Sequence, residues 1–194
     1  MEKIKDIQGI LAFLREAEQL KNTLQRAYTT KGRVESTAEH SWRLCLMAML
    51  LAEQYDNIDP LKLIKMCIIH DLGEAIGGDI AAVDQVEGED KGIQERLDLL
   101  TLIKPLPQHL QTEIIALWDD YENVLSEEAK LAKALDKIET LLQHTQGINP
   151  DTFDYGFNLS YGKKYTDKDE LTSSLRVEID KDTRRLAASN GTLK

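Results

Sequence analysis

The sequence predicts an all-α fold in one domain over residues 1–194. Three observations carry this expectation. Apolar residues recur at the spacing of a helix with one inward face. No stretch sustains the period-two alternation of Val, Ile and Thr that marks a half-buried strand. Three of the four prolines stand where a helix can begin. A chain of 194 residues is long enough to bury a core without disulfides or metal staples.

The periodicity places a first helix at about residues 5–26. A second, at about 36–56, opens with the capping box Ser36-Thr37-Ala38-Glu39 just ahead of its apolar run. Asp59-Pro60 starts a third, at about 60–72. The segment GEAIGGDIAAVDQVEG, residues 73–88, is rich in Gly and Asp and reads as a loop. Helices follow at about 89–103 and, after the break at Pro105, at about 107–122. The strongly periodic AKLAKALDKIETLL lies in a helix at about 127–146. Asn149-Pro150 has the form of a capped helix start. Gly156 and Gly162, mixed with aromatic residues, make 150–166 an irregular connection with room for one helical turn. A last helix is expected at about 168–189, with Asn190 to Lys194 frayed.

Charge narrows the function. The 24 basic and 34 acidic residues give a net charge of −10, which argues against a nucleic-acid polymer as partner. An anionic substrate needs a local cation. Cys45 and Cys67 sit in apolar runs and read as reduced thiols. The longest apolar run, Leu44 to Ala52, is far short of a membrane span. The first residues, MEKIKDIQGI, lack a signal peptide's apolar stretch. A cytoplasmic protein without membrane contact is expected.

Two of the four histidines lie on apolar helix faces. His40 shares a face with Leu44, Met47 and Leu51, and His70 with Leu63, Met66 and Cys67. Each is either a satisfied core histidine or a ligand. Asp71 follows His70 at a helix end, and imidazole with carboxylate suits Zn, Co, Mn or Fe. Asp136 stands between apolar neighbours in its helix, where Asp is disfavoured. It either pairs with Lys133 or Lys137 on the polar edge or completes a two-His, two-Asp set. Glu74 and Asp79 are loop carboxylates, candidates for acid–base work, and Gly77-Gly78 lets the chain bring Asp79 back. Glu122 ends the WDDYE segment, either on a solvated face or holding a second cation such as Mg. His109 and His144 read as structural or solvated. The aromatics of 155–165 fill the core, close a dimer interface or cap a nucleobase.

The motifs ESTAEHSWRL, HDLGEAIGGDI, LWDDYE and AKALDKIETLLQ, in this order, resemble the HD-domain metal-dependent phosphohydrolases, in particular their 5′-deoxynucleotidase branch. The resemblance covers about residues 8–146; the extension 147–194 is less diagnostic. It implies a helical bundle with one divalent transition metal on His40, His70, Asp71 and Asp136, and Glu74 and Asp79 serving the reaction. It implies Glu122 as the site of a second ion in some members. It further implies a deoxyribonucleoside 5′-monophosphate substrate and a homodimer. Arg26 matches an Arg that holds the nucleotide in the family, but Ala27 stands where one form of the motif has Trp. Arg33 is a second candidate for the phosphate. Two rival readings are an HD phosphohydrolase acting on another phosphate ester and a non-enzymatic metal-binding interaction protein.

Overall fold

The computed structural model describes residues 2–79 and 91–192. Helix α1, Glu2–Ala17, tightens into a 3₁₀ turn at Glu18–Lys21. The expected helix stops there. Strand β1, Leu24–Tyr28, pairs antiparallel with β2, Val34–Ser36, in the register Leu24 to Ser36 and Tyr28 to Val34. This hairpin corrects the reading of residues 22–26 as helix. Gly32 supplies the left-handed conformation of its loop (φ +76°), and the Thr29 N–H donates to the Arg33 carbonyl at 2.7 Å. Strands of five and three residues are too short to show sustained alternation.

Ser36 ends β2 and caps α2, Thr37–Leu51. The capping box forms: the Glu39 N–H donates to Ser36 Oγ, and the Ser36 N–H donates to Glu39 Oε2 at 3.0 Å. After a 3₁₀ turn at Ala52–Gln54, Asp59 caps α3, Pro60–Ile69, by accepting from the N–H groups of Leu61 and Lys62. A tight turn then leads into the short helix α4, Glu74–Gly77, inside the segment read as loop. Residues 80–88 of that segment, and 89–90 of the next expected helix, lie outside the described residues. Helices α5 (Lys91–Ile103), α6 (Gln108–Asn123) and α7 (Glu127–Gln146) follow as expected.

Asn149-Pro150 does not start a helix. The Asn149 amide turns back to the end of α7, donating to the His144 carbonyl at 2.7 Å and the Tyr155 hydroxyl at 2.8 Å. Two single turns replace it, α8 (Tyr155–Asn158) and α9 (Lys163–Thr166). Helix α10 spans Glu170–Asn190. Its end is tied down, not frayed: Asn190 donates to the Phe153 carbonyl and the Thr192 N–H to that of Ala187. Leu193 and Lys194 lie outside the described residues.

Helix α7 is the axis of the bundle. Its Leu135 and Ile138 are buried against Leu44 and Ala48 of α2 and Leu63, Met66 and Cys67 of α3. A second apolar cluster joins Leu99, Leu102 and Ile103 of α5 to Trp118 of α6. Each fully buried side chain of this kind contributes roughly 1.5–3 kcal/mol. The two clusters make α2, α3 and α7 a rigid frame.

Arg176 fastens the irregular segment to that frame. It is 2% exposed, and its guanidinium donates to Asp180 (2.7 Å) and to the carbonyls of Tyr161 (2.6 Å) and Asn158 (2.7 Å). Arg176→Met leaves two carbonyls and a buried carboxylate without these bonds. The expected loss is ~3–5 kcal/mol, the usual result of removing one member of a buried ion pair. Urea denaturation midpoints at unchanged m-value check it.

Candidate functional site

His40 from α2, His70 and Asp71 from the end of α3, and Asp136 from α7 meet at one place. The His40 and His70 ring centroids are 5.4 Å apart. One ligand atom from each of His40, His70 and Asp71 lies within 4.8 Å of the others. Asp136 joins through His40, with Oδ1 3.3 Å from His40 Nε2.

The hydrogen bonds set which atoms face inward. His70 Nδ1 lies 3.0 Å from the Cys67 carbonyl, which only accepts, so Nδ1 carries a proton and Nε2 is turned into the site. That Nε2 is buried without a hydrogen-bond partner and stands 2.9 Å from Asp71 Oδ2. His40 places Nδ1 on the Glu139 carboxylate, which turns Nε2 toward Asp136 and Asp71. Tyr121 Oη and Lys137 Nζ both hold Asp136 Oδ2 at 2.8 Å, leaving Oδ1 to the centre. Two imidazole nitrogens and two carboxylate oxygens therefore face one another. Two carboxylate oxygens crowded against two buried imidazole nitrogens are well compensated when a cation stands among them. The donor set fits a divalent metal with nitrogen and oxygen ligands.

The electrostatics agree. Burial acts against charge on His40, but the Glu139 and Asp136 carboxylates outweigh it and hold its pKa well above the usual 6.5. Burial raises and Lys137 and the two imidazoles lower the Asp136 pKa, which ends well below the usual carboxylate value. The raised His40 reports the carboxylates around it and the lowered Asp136 the cationic groups around it, an ion-paired cluster at the floor of the cavity.

The backbone keeps these groups in place. Trp118 Nε1 donates to the His70 carbonyl at 3.1 Å, fixing the end of α3. Gly73 lets the following turn lie against α5: a Cβ there would stand 2.5 Å from the Glu95 carbonyl oxygen. Gly78 takes the left-handed conformation (φ +79°) that redirects the chain at Asp79.

A cavity of about 850 Å³ opens over the centre, lined by His40, Asp71 and Asp136 together with Glu74, Asp79 and Arg26. Glu74 is 3% exposed, and Thr37 Oγ1 donates to its Oε2 at 3.1 Å. It is not a solvated loop acid. Arg26 reaches the rim from β1. Arg33 does not line the cavity; its guanidinium makes a two-pronged bond to Glu39 (2.8 and 2.6 Å), whose pKa falls to about 2 through that bond. Glu122 also lies outside the lining, with Lys133 Nζ on its Oε2 at 2.8 Å.

The opposite wall comes from the 150–166 segment, with Phe153, Phe157, Tyr161 and Tyr165 facing the cavity. Helix α7 adds Lys133, Lys137 and His144. His144, read as structural or solvated, is a lining residue; burial lowers its pKa to about 4, so it is neutral near pH 7. His109 is exposed, as expected.

Sequence reasoning passed over Glu139 and Arg43. Glu139 is fully buried, binds His40 Nδ1, and accepts from Arg43 Nε at 2.6 Å. It fixes the tautomer and orientation of His40, as a carboxylate behind a ligating histidine does. The available signal was its place three residues after Asp136 on α7. Glu139→Gln keeps the shape and removes the charge. Metal affinity is expected to fall ~10–100-fold, read by competition with a chelating dye.

Comparison with known proteins agrees with this geometry. The HD-domain family pattern matches residues 17–176. The mouse protein 5′-deoxynucleotidase HDDC2 is 34% identical over 140 residues, covering 71% of this chain and 69% of its own. Its Xenopus laevis counterpart is 35% identical over 137 residues, covering 70% and 67%. A crystal structure from Magnetospirillum magnetotacticum, described as a predicted metal-dependent phosphohydrolase, superposes with a TM-score of 0.74 at 28% identity, over 93% of this chain and 97% of its own. No helix among the described residues is long and apolar enough to cross a membrane. With the motifs, the fold and the convergent ligand set in agreement, the chain belongs to the HD-domain family, in its 5′-deoxynucleotidase-like branch.

Proposed function

We propose that the protein is a 5′-deoxynucleotidase, a metal-dependent phosphomonoesterase acting on deoxyribonucleoside 5′-monophosphates. The observation that carries this reading is the His40, His70, Asp71 and Asp136 acceptor set at the floor of a cavity that also holds Glu74 and Asp79. A purely structural metal site has no use for those two further acids. The names of the mouse and frog relatives support the substrate class.

His40, His70, Asp71 and Asp136 hold the ion. When bound, a divalent ion there supplies Lewis acidity toward a phosphoryl oxygen and lowers the pKa of water. Glu74, anchored by Thr37, orients the attacking water and takes its proton. Asp79 sits on the cavity wall, where it orients the nucleophile or the protonated leaving oxygen. Arg26 and Lys137 supply positive charge toward the phosphoryl oxygens. The aromatic wall excludes water and faces the base and sugar. Arg33 serves α2 through Glu39 and is not needed at the phosphate. A second cation such as Mg²⁺ at Glu122 has to displace Lys133. A cytoplasmic homodimer using Co, Mn, Zn or Fe is part of this proposal.

The test is phosphate release from dAMP and AMP by metal-stripped protein, with Co²⁺, Mn²⁺ or Mg²⁺ restored one at a time. Metal-dependent release from dAMP and little from AMP is the expected result. Equal release from both keeps the phosphohydrolase and removes the sugar preference, which would follow from Ala27 in place of Trp. No release with metal bound overturns the nucleotidase reading.

A further inference from the structure

A second concavity of about 600 Å³ shares Lys164 and Tyr165 of α9 with the catalytic cavity and none of its ligand candidates. Its walls come from the loop after α2, the start of α7, α9 itself and the cap of α10, so it is framed by packed elements. Its size falls within the range of small-molecule sites. It presents two tyrosines, Tyr55 and Tyr165, and three lysines, Lys130, Lys164 and Lys168.

The charges there do not cancel. Two carboxylates line the concavity, and both are engaged: Glu127 with Lys130, and Asp169 with the Tyr55 hydroxyl (2.8 Å) and the N–H groups of Leu171 and Thr172 that it caps. Lys164 and Lys168 make no ion pair among the described residues, and both are exposed. Lys164 Nζ lies over the Tyr165 ring, 4.7 Å from its centroid, in a cation–π contact. On a protein of net charge −10, this is a local basic spot with flat apolar surface beside it. That pairing suits a phosphate joined to an aromatic ring.

We propose that this concavity is a second binding site, for a nucleoside phosphate, separate from the metal centre. The phosphate sits against Lys164 and Lys168 with Lys130 at the edge, and the base lies against the Tyr165 ring. Lys164 and Tyr165 line both cavities, so the occupant touches the wall of the catalytic site.

The probe is 2′-deoxyadenosine 5′-methylenediphosphate, titrated calorimetrically into the Co²⁺-loaded protein and into K130Q/K168Q. Neither replaced lysine lines the catalytic cavity, and both are exposed, so folding and dAMP turnover are expected to be unchanged. Wild type is expected to bind two probe molecules per chain and the double variant one. One molecule per chain in both overturns the proposal, as does two in both, which puts the second site elsewhere. No binding beside normal dAMP turnover overturns it too. Loss of dAMP turnover in wild type would instead count against the nucleotidase reading, while the stoichiometry still decides the second site.

Discussion

His70→Ala is expected to lose its metal and, with it, phosphatase activity. His70 Nε2 is buried without a hydrogen-bond partner and lies 2.9 Å from Asp71 Oδ2. Removing the ring deletes one of the four proposed ligands and leaves Asp71 and Asp136 close together with less compensation. The Lewis-acid contribution of a bound ion amounts to several kcal/mol, so turnover should fall by about 10³-fold or more. Metal content by mass spectrometry after dialysis against a weak chelator reads the first effect, and phosphate release the second. His109→Ala, on an exposed helix position, serves as control and should change neither. A His70→Ala protein that keeps stoichiometric metal removes His70 from the ligand set.

Glu74→Gln is expected to separate metal binding from turnover. Glu74 is not among the converging His40, His70 and Asp71 ligand candidates, yet it lines the same cavity and is held by Thr37. The amide keeps the shape and can still accept from Thr37 Oγ1, but it cannot take a proton from water. Turnover should drop by ~10²–10⁴, the typical contribution of a general acid or base, with metal content unchanged. The loss should appear mainly in kcat, because no substrate-binding charge is removed. A wild-type kcat in metal-replete Glu74→Gln removes Glu74 from the chemistry.

Much of the site was legible because its residues break local rules. An Asp in the middle of an apolar helix and two histidines on apolar faces are out of place in a plain core, and all three do converge. The two readings of Asp136 turn out to be compatible: one oxygen pairs with Lys137 while the other faces His40. Other features were hidden. Glu139 looks like any helix acid until α2 is packed against α7, bringing His40 to a residue 99 positions away. Arg33 looks like a phosphate ligand until the capping box places Glu39 beside it. Of the unassigned histidines, only folding makes His144 a cavity residue.

The sequence by itself determined the helices of the frame and the four inward ligand candidates, because helical periodicity and capping are local and depend on neighbours three or four positions away. It also carried the motif order that marks the family. The tertiary structure alone decided the hairpin that presents Arg26, the Glu139 and Arg43 support behind His40, and the aromatic wall pinned by Arg176. These depend on which faces meet across 96 to 115 residues of intervening chain, for Arg43 with Glu139 and for Gln143 with the Tyr28 carbonyl. Packing of rigid apolar faces sets that register, and no local pattern encodes it.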